Sequence, residues 1–368
     1  MGAQPQIFEE DINALASRMQ TSLQTALGRS FAPADTEMLL INSFCYELYL
    51  YNVKGNQAFR QNLVDFASGA MLDYLGELVG VSRLPASPAI CTLQFTLVPG
   101  HSTVLLSAGT RVESLDGSVI FQTDSDVPVA LTANTVSVTA TCQTTGTAGN
   151  GFDAGKITLL LDPQAYVTAV QNIDTTNSGS DDESDDALRQ RIKLAPASFS
   201  VAGPRDGYIY WAKTASSVIV DVKCITTNPG EVTLYPLCIG GTLASAELKQ
   251  QLLLICNADN IRPQNDTVLV ADPEVLQYAI DIELTTFTGA IDTDVLQQVN
   301  SNLQEFVNAG LNKLGVDVVR AKLNSLCVLD GKVYNVNIVS PANDLVVNDN
   351  QYASCTGINV TIIGSNNG

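Results

Sequence analysis

The sequence predicts an α+β, multidomain chain with an N-terminal helical segment, an antiparallel β domain and two small α/β modules. Apolar residues recur every three or four positions from Ile7 to Val81, the spacing of amphipathic helices. The period changes to two from Ala89 to about Leu161, the spacing of strands with one wet face. Beyond a polar connector, helix-like and strand-like blocks alternate. Boundaries at residues 1–86, 87–175, 176–265 and 266–368 follow from these changes.

In the first segment Ile12, Leu15, Met19, Leu23 and Leu27 form one narrow apolar stripe on a helix otherwise carrying Gln, Ser, Thr and Asn. Pro33 and Ala34 break the chain, and Asp35 is placed to cap a second helix with Glu37 in its first turn. That helix, DTEMLLINSFCYELYLYNV, is apolar nearly all round and is expected to be buried on several sides. A third is expected from about Asn56 to Leu78, carrying Phe59, Leu63, Phe66 and Ala70, with Gly80 and Pro85 ending it. The three could pack together as a small bundle. Equally, the first could be lent to helices of a partner chain.

In the β segment Leu93, Phe95 and Leu97 alternate with Thr92, Gln94 and Thr96, and Val136, Val138 and Ala140 with Ser137, Thr139 and Thr141. Turn residues stand at Pro99-Gly100, Ala108-Gly109, Asp116-Gly117 and Thr144 to Gly151. The last of these has no Lys-Ser/Thr ending, so it reads as a turn needing positive φ at Gly146, Gly149 or Gly151 rather than a phosphate cradle. NIDTTNSGS, from Asn172 to Ser180, has loop composition.

Ser180-Asp181-Asp182-Glu183 reads as a capping box for a helix with Leu188 and Ile192 inside and Arg189, Arg191 and Lys193 towards its end. The acidic cluster from Asp181 to Asp186 lacks the central glycine and distal glutamate of a calcium loop. Gly203-Pro204 opens a helix with Tyr208, Trp211, Ala212 and Ala215 on its buried side. Strands over Val218 to Ile225 and Glu231 to Leu237 flank Pro229-Gly230, and Ser245 caps a further helix carrying Leu248, Leu252 and Ile255. Arg262 to Pro273 reads as the next connector. After it come a strand with Tyr278, Ile280, Ile282 and Leu284, a helix from Asp294, another from about Val318 to Leu326, a strand from Val333 to Val339 and short β-like pieces between Leu345 and Ile363.

With 368 residues, 45% hydrophobic and 15% charged, the chain can build several cores. Its net charge of −19 opposes phosphate backbones and anionic lipid, so neither nucleic acid nor membrane is expected as a partner. The amino terminus lacks the basic start and apolar run of a secretion signal. Eight cysteines without a C-x-x-C pair read as small buried hydrophobes of a chain folded in a reducing cytoplasm. His101, the single histidine, reads as a strand-edge or turn residue. No nucleophile elbow, zinc-protease motif or Walker-type loop is present, so the expectation is no enzyme, no catalytic residue, no cofactor, no metal and no small-molecule substrate.

The order of motifs carries a resemblance. SAGTRVESLDGSVIFQTDSDVPV has a Gly-Thr strand entry, a D-G hairpin and an F-x-T strand, and TTGTAGNGFDAGKITLLL adds a glycine-rich loop and a final strand. From Gly179 to Pro236 follow the acid-capped helix, the Gly-Pro break, the Trp-bearing helix and two strands. In this order they resemble the baseplate J-like family, as does LDYLGELVGVSR from Leu72 to Arg83. The resemblance implies a structural baseplate wedge subunit of a contractile phage tail, made in the host bacterial cytoplasm and located in the virion. Alternatives are the equivalent subunit of a bacterial contractile injection system and a tail-associated carbohydrate-binding or hydrolase protein. By resemblance, Ile12, Leu15, Met19, Leu23 and Leu27 would face companion wedge proteins, and the C-terminal modules would meet adjacent copies or neighbouring wedges around a central hub and sheath-proximal proteins. Asn172 to Ser180 and Arg262 to Pro273 would act as hinges when the sheath contracts.

Overall fold

The computed structural model describes residues 4–200 and 203–367, an α+β, multidomain arrangement with eight α-helices and fifteen strands among the described residues. The chain divides into two compact units, one of residues 1–82 with 188–193, the other of residues 83–187 with 194–368.

In the first unit α1 (Ile12–Leu27) starts where the Asp11 carboxylate accepts the N–H groups of Asn13 and Ala14, and stops where Gly28 adopts a φ of 68°. Next, α2 (Thr36–Arg60) runs through Gly55, beyond the end expected for it. The reason is tertiary: the Phe8 ring lies where a Cβ at Gly55 would stand (2.9 Å), and buried Asn56 accepts the N–H groups of Ile7 and Phe8. The third helix is correspondingly short, α3 (Ala70–Glu77), after an irregular stretch ending at Gly69 with φ 53°. Leu15, Phe31, Ile41 and Cys45 form the core between α1 and α2.

The second unit opens with a sheet of six antiparallel strands. In chain order the strands here are β1 (Pro88–Leu97), β2 (Val104–Leu106), β3 (Arg111–Ser114), β4 (Ile120–Thr123), β5 (Val127–Val129), β6 (Thr135–Thr145), β7 (Ile157–Leu160) and β8 (Val167–Asn172). The sheet runs β7-β3-β4-β6-β1-β8, while β2 and β5 pair separately. Its two end strands, β7 and β8, touch, so the sheet curls almost into a barrel around Leu93, Phe95, Val112, Phe121, Ala140 and Ile157. The turn between β3 and β4 is held by Asp116, whose carboxylate accepts both the N–H and hydroxyl of Ser118 and the hydroxyl of Ser114; these bonds lower its pKa. Gly146 and Gly151 take positive φ as expected, but Gly149 is required for space: a Cβ there would meet Ala89 and Cys142 at 2.8 and 3.0 Å.

Asn172 to Ser180 is no free connector. Asn177 and Ser180 bridge back to Ile90 and Ser87 at the start of β1, and Thr176 and Ser180 are buried. The expected capping box is also corrected. Helix α4 (Asp185–Leu194) begins later, with the Ser184 hydroxyl accepting the N–H of Ala187. Asp181, Asp182 and Glu183 are drawn instead to Thr147, Ala86 and Leu84, whose N–H groups they accept. Three otherwise unpaired backbone donors take precedence over the cap.

The central module holds α5 (Arg205–Ala215), β9 (Ile219–Asn228), β10 (Glu231–Cys238), β11 (Thr242–Leu243), α6 (Ala246–Cys256) and β12 (Thr267–Val270). Ser245 caps α6 through Leu248 N–H as expected. Beyond the expected β9–β10 hairpin, β12 joins β10 in parallel, so the residues read as a connector from Arg262 contain a strand of this sheet.

The C-terminal module holds β13 (Glu274–Phe287), α7 (Asp292–Gly310), α8 (Arg320–Cys327), β14 (Val333–Ser340) and β15 (Gln351–Asn366). The sheet order is β14-β13-β15, with β15 parallel to β13. Val295, Val299 and Leu303 of α7 pack on Ile280, Ile282 and Leu284. The short β-like pieces expected near the end include one strand of 16 residues. Its glycines, Gly357 and Gly364, stand inside the strand, carried by the long β13 beside them.

Candidate assembly surfaces

The groups with chemical potential are engaged structurally. Both ring nitrogens of buried His101 face carbonyls, Nε2 that of Ala133 at 2.8 Å and Nδ1 that of Ser102 at 2.7 Å. Two acceptors favour the doubly protonated ring, so these bonds, Ala133's foremost, raise its pKa. Seven of the cysteines are buried. Burial pushes Cys91 and Cys256 up to about 12 and Cys224, Cys238 and Cys327 to about 11. Thiols held so high are protonated at neutral pH and are poor nucleophiles. Among the described residues no group of three His, Cys, Asp or Glu side chains is arranged to hold a metal ion, and no helix is long and apolar enough to cross a membrane.

An open cleft of about 420 Å³ lies in the second unit, lined by Arg205, Tyr208, Cys224, Thr226 and Asp349 among others. Its polar groups pair with the protein: the Tyr208 hydroxyl donates to Asp266, and Asp349 meets Lys223 and Arg205. The Lys223 hydrogen bond and charge hold the Asp349 carboxyl below its ordinary pKa. This cleft sits where the central and C-terminal modules meet. Beside it, Asp221 accepts the N–H of Leu314 at 2.9 Å, the Asn312 side chain accepts the N–H of Gly240, and Leu237, Leu314 and Tyr352 form a small apolar core.

The five residues expected to face partner helices are distributed by α2. Leu15 is buried, and Ile12, Met19 and Leu23 are partly buried against the same small core, Met19 sulfur lying 3.2 Å from that of Cys45. Leu27, one turn beyond, is exposed. The helix expected to be buried on several sides is not: Leu39, Leu40, Phe44, Tyr46 and Tyr51 of α2 are exposed at 53–70%. α1 is a single narrow helix and covers a single stripe of α2, around Ile41 and Cys45. Sequence periodicity could not separate these faces, because apolar residues stand on both.

At the other end of the chain, β15 pairs with β13 along one edge, and among the described residues nothing pairs with its other edge. Even-numbered Ile358, Val360 and Ile362 pack on the module core, whereas Asn359, Thr361 and Ile363 are exposed.

Comparison with known proteins agrees with this architecture. Three family models match in order: the baseplate J-like protein barrel domain over residues 92–179, the baseplate J-like central domain over 200–272 and the baseplate J-like protein C-terminal domain over 278–361. Baseplate protein J of Escherichia phage P2 is 27% identical over 184 residues, covering 50% of this chain and 60% of that protein. The chain therefore spans less than two thirds of that relative's length. The phage-like element PBSX protein XkdT of Bacillus subtilis (strain 168) is 24% identical over 365 residues, 93% of this chain and 90% of that one. A chain in the solved baseplate of the anti-feeding prophage aligns with 94% of this chain and 90% of its own length, at 12% identity and a TM-score of 0.44. The three models account in sequence order for the barrel, the central module and the C-terminal module, and the chain belongs to the baseplate J-like family.

Proposed function

We propose that this chain, a baseplate protein by family, is a wedge subunit of a contractile tail and takes part in assembly rather than catalysis. The carrying observation is the unbroken order of barrel, central and C-terminal baseplate J-like segments along one chain. In this reading the N-terminal helices join companion wedge proteins, and the C-terminal module meets a neighbouring wedge or another copy, in a ring around the hub of the tail baseplate. Ile12, Met19 and Leu23 contribute to the first contact through the margin of their stripe that α2 leaves open, Leu27 contributes directly, and Leu15 supports α1 from behind. The exposed apolar face of α2 supports that reading, since exposed aromatic and aliphatic side chains in a row are characteristic of surfaces that another protein covers.

The sites of movement on contraction lie, in this reading, outside residues 172–180 and outside the contact between the central and C-terminal modules. The first is hydrogen-bonded to the barrel, and the second is held by Asp221, Asp349 and the Leu314 core. Electron microscopy of intact and contracted particles, with a gold-tagged antibody against this chain, tests the assignment. Label on the distal plate of the tail is the expected result; label on fibres or only on unassembled protein would overturn it.

A further inference from the structure

His101 stands in the turn between β1 and β2, and its ring joins that turn to the one between β5 and β6. Nδ1 lies 2.7 Å from the carbonyl oxygen of Ser102 and Nε2 2.8 Å from that of Ala133, in a residue only 4% exposed. A carbonyl oxygen only accepts, and a neutral imidazole carries a single N–H, so in either neutral tautomer one ring nitrogen turns a lone pair on a carbonyl at this distance. Only the imidazolium satisfies both. The bond to Ala133 and then that to Ser102 outweigh the opposing effect of burial and raise the pKa of the ring above its ordinary value near 6.5.

The elements around the ring supply little else to hold it. Residues 98–103, residues 130–134 and the strands β2 and β5 contain no Asp, Glu, Lys or Arg. From the β7–β8 loop the Tyr166 ring faces the imidazole at a centroid separation of 6.3 Å, and its phenolic oxygen accepts from the Ser102 hydroxyl. In the same loop Asp162 is taken by Arg111, and ahead of β5 Asp126 is taken by the N–H of Ala108. Tyr166 has a φ of 63°, a strained value for a residue other than glycine, and its carbonyl accepts the N–H of Val98, so freeing the β1–β2 turn also lets that strain relax. Among the described residues β2 and β5 pair only with each other, and the core beside them is small, with Leu97, Val104 and Val129 its buried members. A two-stranded ribbon is marginal by itself.

We propose that His101 is a protonation latch: its imidazolium pins the β5–β6 turn to the β1–β2 turn and so holds the β2–β5 ribbon on the barrel, and loss of the proton frees the ribbon while the six-stranded sheet stays folded. Because the folded pKa lies above the unfolded one, the latch is fully closed below about 6.5 and weakens as pH rises towards the folded value, its opening equilibrium growing by up to about tenfold per pH unit, the limit for one linked proton. The inference goes beyond the wedge reading and does not depend on it.

The test uses the full chain, whose single histidine can be read without assignment. Nitrogen NMR of the labelled ring is expected to show both nitrogens protonated at pH 6.5 and a titration midpoint above that of a free imidazole. Hydrogen exchange, expressed as protection factors, is expected to fall with rising pH in β2 and β5 but not in β1 and β6. In His101→Gln, which has no proton to lose in this range, protection of the ribbon should be lower than in the parent at about pH 6 and flat above it. A ring that titrates at or below the ordinary value would overturn the latch whether or not the variant folds. So would ribbon protection that keeps its pH dependence in His101→Gln, or a loss of protection in β1 and β6 in step with the ribbon.

Discussion

Asn172, the last residue of β8, accepts the backbone N–H of Ile157, the first residue of β7, at 2.9 Å through its side-chain oxygen. The same oxygen accepts Lys156 N–H, and the side-chain nitrogen donates to the carbonyls of Asp153 and Asp174. One buried carboxamide thus closes the curled sheet across its two end strands. Asn172→Ala removes the side-chain partner of the buried Ile157 N–H together with the bonds to Lys156, Asp153 and Asp174, and is expected to lower stability by about 1–3 kcal/mol. Chemical denaturation measures this, and a loss below about 1 kcal/mol would mean that water or backbone replaces the amide.

The two faces of α2 should separate folding from assembly. Leu15→Ala removes a buried side chain between α1 and α2 and is expected to cost about 2–5 kcal/mol. Leu40→Asp with Phe44→Asp changes exposed positions and should leave the melting temperature within a few degrees, yet abolish incorporation into particles. Incorporation of the double Asp variant at parental level would remove this face from the assembly contacts. Leu15→Asp with Met19→Asp should unfold the pair of helices outright, whatever the partner.

The contact between central and C-terminal modules should depend more on its apolar core than on its ions. Lys223→Ala breaks an ion pair whose aspartate side chain is 52% exposed, worth less than about 1 kcal/mol. Leu314→Ala empties a position beside Leu237 and Tyr352 and should cost about 3 kcal/mol. Equilibrium unfolding in urea compares them, and the reverse order would make the ion pair the principal link.

Asp162 should titrate abnormally low. Its hydrogen bond with Arg111, followed by Arg111's backbone N–H and charge, holds the carboxyl at about 2. Because the folded value lies below that of an unfolded aspartate, near 3.9, the stabilisation is fully present above that pH and is lost as pH falls towards 2. Carboxyl carbon NMR should place the midpoint near 2 in the parent and higher in Arg111→Ala, though still below that of an ordinary aspartate because the N–H of residue 111 remains; equal midpoints would refute the coupling.

Much was written in the sequence by itself, wherever a local rule acts. Alternation placed Leu93, Phe95 and Leu97 on the buried face of β1, proline and glycine marked the entry to α5, and Ser245 capped α6. The ordered motifs from Ser107 to Pro263 carried the family because turn chemistry and strand spacing are local.

Tertiary structure decided what depends on residues far apart in the chain. Phe8 kept α2 helical through Gly55, Asn172 turned an open sheet into a near-barrel, and the N–H groups of Leu84, Ala86 and Thr147 drew the acidic cluster from its expected capping role. The long β13 carried β15 through two glycines, and α1 selected which face of an all-round apolar α2 was covered. Periodicity reports that a side chain is apolar, but burial requires a neighbour, and the neighbour is supplied only when distant segments meet.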